Sequence, residues 1–285
     1  SFGAGESFFD SEYSTIGGNV QVRDTAEASS FMSYYDDFAK SIVISNGSGG
    51  GTVRFFESHV EGDLRVTNQA GYDYTELYGT PFNSVRVSNG DGGSWSNTIW
   101  LSTDRDVRFA SGAGNESMYW YGGNVDGLTV TTGAGDAEVA IVATVVRRGM
   151  TIAATESVRL DLVRMEVVGT TAIRGGNDSD EVQIDDAEFY GSVSVQTRGG
   201  HDQVRVETDE TRPDRTTFYN AARFSLGDGN DSMVVGWPAD FDRRARFFQQ
   251  PRFDGGRGID LLDYATHDNE FPAGPPDPRG FEFVM

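Results

Sequence analysis

The chain has 285 residues, with 23 Lys and Arg against 44 Asp and Glu, 36 Gly and no Cys, and a formal charge of −21. Without cysteine a disulfide scaffold is impossible, and so acidic a chain repels polyanions, which argues against nucleic acid as a partner. The longest apolar run, Val139 to Val146, is far shorter than the roughly 18 to 20 residues a membrane-spanning helix needs, so no membrane span is expected.

Abundant glycine with only 37% hydrophobic residues favours a narrow core and many tight turns. The chain opens at Ser1 with no charged-then-apolar leader, which permits secretion without showing it, and the expected location is extracellular or at the cell surface. Residues 1–15 carry Phe2, Phe8 and Phe9 and are expected to form an N-terminal cap or assembly segment.

From residue 16 to 265 a repeat takes over. Apolar pairs recur at Val20/Val22, Ile42/Ile44, Leu64/Val66, Val85/Val87, Val107/Phe109, Leu128/Val130, Met150/Ile152, Thr171/Ile173 and Val193/Val195, in steps of 21 or 22. Two further copies, at Ala222/Phe224 and Pro251/Phe253, follow at steps of 29. A second apolar column stands nine residues after each pair, at Phe31, Val53, Met118, Val139, Val182, Val204, Met233 and Leu262, with Thr75, Ser96 and Asp161 breaking it. A third precedes many pairs, at Val60, Phe82, Val125, Val146, Val168, Tyr190, Tyr219 and Phe248.

Alternation with period two marks strands with one buried face, and Gly-rich connections such as Asn89-Gly-Asp-Gly-Gly93 supply turns. No capped segment has a 3.6-residue period, so helix should be nearly absent. The expected fold is all-β, a right-handed parallel β-helix of about 11 coils of ~22 residues with three short strands per coil.

Seven residues beyond Ile173, Val195, Phe224 and Phe253 stand Asp180, Asp202, Asp231 and Asp260, with Asp73 and Glu116 in the same register earlier. Stacked coils bring these carboxylates to about 5 Å spacing, where like charges repel by a few kcal/mol. Two compensations are open: hydrogen bonds from turn N–H groups to a solvated outward carboxylate, or Ca²⁺ held between successive turns by carboxylate and carbonyl oxygens.

Gly255-Gly-Arg-Gly-Ile-Asp-Leu-Leu-Asp263 resembles the hemolysin-type calcium-binding nonapeptide at every specified position. Gly175-Gly-Asn-Asp-Ser-Asp-Glu-Val-Gln183 and Leu226-Gly-Asp-Gly-Asn-Asp-Ser-Met-Val234 each depart from it at one position, and Gly199-Gly-His-Asp202 is a shortened relative. The chain is thereby similar to secreted bacterial right-handed parallel β-helix proteins with degenerate calcium-type repeats, although it has one such turn per coil where that family has two. The resemblance implies calcium as cofactor, with Asp180, Asp202, Asp231 and Asp260 as ligands and Asp178, Asp228 and Asp263 beside them.

The two long steps place insertions in consecutive coils, in loops 209–218 and 237–248, bearing Arg212, Arg215, Arg243, Arg244 and Arg246. These suit an anionic sugar or an acidic flank of another subunit, or simply pair with the loops' own acids. A polysaccharide lyase or hydrolase would need clustered carboxylates and a base, for which Asp185, Asp186, Asp202, His201 and Arg205 are available, but no enzyme signature is present and the expectation is a non-enzyme.

Residues 266–285 form a Pro-rich tail ending in Phe281, Phe283 and Val284, suited to capping the chain's own coils or pairing with another copy. Together these features predict a structural extracellular protein, a subunit of a surface layer, fibre or matrix that self-associates through its termini. The alternative is a carbohydrate-binding or polysaccharide-cleaving protein using the arginine loops on an extracellular polysaccharide.

Overall fold

The computed structural model describes residues 7–24, 28–208, 215–236, 244–264 and 269–285, and these contain strands, turns and bends but no helix. They form a parallel β-solenoid of about 12 turns. The turn beyond the expected eleven comes from the ends: Ser7–Glu12 pairs in register with Ser29–Tyr34, Asp277–Arg279 with Arg252–Arg257, and Phe283–Val284 with Leu261–Tyr264. Segments read as terminal cap and tail thus continue the stacking. The chain divides into two compact units, Ser1–Gly135 and Asp136–Met285.

Most coils carry a long strand of four to six residues, a two-residue strand and a strand of about four, and in Ser94–Thr103, Glu116–Thr131 and Val145–Ala153 neighbouring segments run together. In the first unit Gly51–Phe56, His59–Val60 and Leu64–Thr67 make one such coil, and Val22, Ile44, Val66, Val87, Phe109 and Val130 stand in one in-register row. In the second unit Ile152, Ile173, Val195, Phe224 and Phe253 form the equivalent row. All but Val22 and Phe109, still largely covered, are at most 2% exposed, and no coil buries this face without its neighbours.

Two sequence-level assignments slip by one residue. Asp161 does not break the second column: its coil is one residue short, and Leu160 faces inward between Val139 and Val182. In the third column Val168, Tyr190, Tyr219 and Phe248 point outward, whereas Val167, Phe189, Phe218 and Phe247 fill the core. Phe189, Phe218 and Phe247 stack at 5.3 and 4.6 Å. Two adjacent apolar residues in a two-residue strand leave the face undetermined locally, and a slip of one reverses it.

The corner after the long strand is left-handed in every described coil. In the first unit Tyr13, Tyr35, Glu57, Gly79, Trp100 and Gly122 occupy it with φ of 45 to 71°. In the second unit Ala143, Arg164, Asp186, Glu207 and Gly236 do so with φ of 53 to 81°. Non-glycine residues adopt this conformation at a cost of about 1–2 kcal/mol, accepted here because stacking fixes the corner. Both insertions leave the coil at this corner, after Glu207 and after Gly236; Arg212 and Arg243 lie outside the described residues.

Polar ladders satisfy the corners. Asn46 Nδ2 donates to Asn68 Oδ1 at 2.7 Å and Asn68 Nδ2 to Asn89 Oδ1 at 2.8 Å, while Ser29 Oγ donates to Asn46 Oδ1. All three asparagines are buried.

Candidate functional site

The aspartate column exists, but inside the solenoid: Asp180, Asp202, Asp231 and Asp260 are at most 3% exposed. Each accepts the backbone N–H of its counterpart one coil earlier, with Val158 to Asp180 at 2.8 Å, Asp180 to Asp202 at 2.8 Å, Asp202 to Asp231 at 2.8 Å and Asp231 to Asp260 at 2.9 Å. Glu282 closes the series by accepting from Asp260 N–H at 2.7 Å. The expectation of outward, solvated carboxylates is therefore corrected: the strand-start N–H points inward, where only a side chain of the next coil can meet it.

Burial governs their protonation. It pushes Asp180 to about 7 and Asp231 to about 6, and raises Asp202 and Asp260, in each case against the lowering effect of the backbone donors. Asp73, accepting from Gly51 N–H at 3.0 Å, is likewise pushed to about 7. The second oxygens of Asp73, Asp202, Asp231 and Asp260 are buried without a hydrogen-bond partner, which disfavours the charged form. Asp178 and Asp228 are exposed and Asp263 half-buried, and among the described residues no three acidic or histidine side chains gather as a metal cage.

The remaining predicted residues separate. Asp185 and Asp186 are buried, and Asp185 accepts from Thr208 N–H at 2.7 Å. Beside them Glu207, which sequence reading passed over, is pushed to about 7 by burial while accepting from Asp186 and Thr216 N–H. His201 is exposed, its Nδ1 accepting from Asn230 N–H at 3.1 Å, and Arg205 pairs with Glu181 at 2.6 Å. These groups do not share an open site with Asp202.

Arg215, Arg244 and Arg246 converge on Glu270 at 3.0, 3.6 and 3.0 Å, so among the described residues the loop arginines pair with an acid of the C-terminal segment and not with the loops' own. At the termini, Phe2 lies outside the described residues, Phe9 stacks on Phe31 at 4.6 Å, and Phe281 is half-buried. Phe8, Phe283 and Val284 remain exposed although their strands pair with the chain's own coils.

What sequence reading missed is the outer face of the first unit's long strands. Inward positions there alternate with outward ones, and in several successive coils at least one outward position is aromatic. Tyr34, Phe56 and Tyr78 stand in register, Phe56 and Tyr78 stacking at 4.5 Å, and Tyr74 stacks on Trp95 at 4.7 Å. The corner column adds Tyr13, stacked on Tyr35 at 5.1 Å, and Trp100, 5.7 Å from Tyr78. The signal was available as aromatics recurring at steps of 21 or 22, in positions set aside because they were not core.

Polar groups are fixed between the rings. Arg54 lies 4.7 Å over the Tyr74 ring and 3.2 Å from Glu76, which also accepts from Tyr74 Oη at 3.2 Å and Asn97 Nδ2 at 3.3 Å. Burial pushes the Tyr74 phenol upward and keeps it a donor. Rings stacked along the coil axis offer their edges to solvent, but Trp100 differs: it is 55% exposed and lies across Gly122, where a Cβ would sit 2.5 Å from its Cδ1. Tyr119 and Tyr121 flank this region at 42% and 37% exposure.

No family model, curated protein or solved structure matches the chain.

Proposed function

We propose that the protein is a non-catalytic extracellular binding protein that lays the aromatic face of its first unit along a polysaccharide. The observation carrying this reading is that face itself: ring rows in which tyrosines supply hydroxyls, a guanidinium–carboxylate–amide comb between them, and one exposed indole. Sugars combine apolar ring faces with hydroxyl edges, so alternating rings and fixed hydrogen-bonding groups match both parts. An open face without a deep pocket suits an extended chain more than a single small molecule.

Affinity electrophoresis of the folded protein through soluble neutral polysaccharides tests this. Trp100→Ala with Tyr119→Ala should weaken retention at least tenfold, and retention equal to that of the unaltered protein would refute it. A second reading, self-association into a layer or fibre, is favoured by the exposed Phe283, Val284 and Met285 beside Leu261–Tyr264. Sedimentation of Phe283→Asp against the parent chain checks it, since assembly through this edge should be abolished.

A further inference from the structure

Arginines stack in register on a different strand row of the first unit. Arg65 in Leu64–Thr67 pairs across to Arg86 in Val85–Ser88, and Arg86 to Arg108 in Asp106–Ala110, so three guanidinium side chains leave the same outward position of three consecutive coils. Like charges directly opposite one another on neighbouring strands oppose folding, and coil spacing of about 4.8 Å leaves them little room to separate.

The first unit has seven basic residues against seventeen acidic ones, yet four of the seven, these three and Arg105, line one groove of about 300 Å³. Its two acids, Asp63 and Asp106, leave the lining with a net charge of 4 − 2 = +2. Asp63 accepts from Asn83 Nδ2 at 2.7 Å and Ser84 Oγ at 2.8 Å, and Asp106 lies 3.7 Å from Arg108. Among the described residues Arg65, Arg86 and Arg105 have no ion pair, and all four arginines are exposed.

We propose that this groove binds an acidic polysaccharide strand running along the coil axis, one sugar oxyanion to each stacked arginine. Guanidinium presents a planar donor fork that fits carboxylate or sulfate bidentately, and the groove repeats it once per coil, as an extended chain charged on each sugar repeats its anions. A duplex nucleic acid presents anions too, but at about one charge per 1.7 Å of its axis it is repelled by the net charge of −21 more strongly than a strand bearing one charge per sugar, whose spacing also follows the coils. The site is separate from the aromatic face and stands or falls without it.

The experiment is calorimetric titration of the intact protein with polygalacturonate, dextran sulfate, neutral dextran and duplex DNA across salt concentrations. Binding of polygalacturonate or dextran sulfate is expected, with no binding of dextran or DNA, and the stronger acidic polymer identifies carboxylate or sulfate as the recognised group. Affinity should fall with salt, and Arg86→Gln should weaken it at least tenfold and reduce the salt slope by about one. Trp100→Ala should leave it unchanged, which separates this site from the aromatic face.

Because removing one of three repelling charges relieves strain, Arg86→Gln should melt no lower than the parent. Should the variant misfold, bound polymer in the unaltered protein should shield Arg65, Arg86 and Arg108 from phenylglyoxal, read by mass spectrometry. Failure of both acidic polymers to bind, equal binding of DNA, full affinity in Arg86→Gln, or unshielded arginines would each overturn the proposal.

Discussion

Replacing Asp73 by Asn isolates the consequence of burying a carboxyl group in the coil interior. Asp73 is fully buried, one oxygen accepts from Gly51 N–H at 3.0 Å, and the other has no partner. Burial lifts its pKa from 3.8 to about 7. A group raised in the folded state stabilises fully below its unfolded pKa, and that contribution is lost as pH rises through about 7. At roughly 1.4 kcal/mol per unit the full swing is about 4 kcal/mol, reduced to on the order of 2–4 by relaxation and water entry. Asn keeps the acceptor for Gly51 and cannot ionise, so Asp73→Asn should gain on the parent by this amount between pH 4 and pH 8.5, a relative Tm change of roughly 5–15 °C. Thermal unfolding followed by circular dichroism at closely spaced pH values measures it. Parallel pH profiles for the two proteins, or a relative gain on acidification, would show that the buried carboxyl is not held protonated.

Other perturbations test the remaining architecture. Asn68→Ala leaves Asn46 Nδ2 and Asn89 Oδ1 without their bonds and should destabilise by about 1–3 kcal/mol in urea unfolding, with Asn68→Ser intermediate. Phe218→Ala should cost about 3–5 kcal/mol, whereas its neighbour Tyr219, 37% exposed, should tolerate Ala at well under half of that; reversed costs would contradict the assigned face. Arg164→Gly, at φ 53° on an exposed corner, should raise stability by up to about 1 kcal/mol as the left-handed strain is relieved, and a fall in Tm would contradict that account.

Much of this fold was legible in the chain because a solenoid repeats one local pattern, and each repetition is an independent reading of it. Val66, Val87 and Phe109 needed no tertiary information to be assigned to one row, since any coil must bury its inward positions against the same positions above and below. Where the pattern admitted two neighbouring answers, as at Phe218 and Tyr219, the repeat copied the ambiguity from coil to coil instead of resolving it. The aromatic face went unread for a related reason: outward positions obey no burial rule, so a run such as Tyr34, Phe56 and Tyr78 stands out only when strands are laid side by side.

By itself the sequence determined the period, the parallel stacking, the absence of helix among the described residues and the register of the aspartate column, all of which follow from side-chain spacing along one dimension. Only the tertiary structure decided which way that column points. Whether Asp202 meets solvent or a buried N–H depends on the orientation of the peptide one coil earlier, twenty-two residues away at Asp180. The same holds for Arg65, Arg86 and Arg108, unremarkable singly in sequence and a charged row once backbone hydrogen bonding between coils sets them opposite one another.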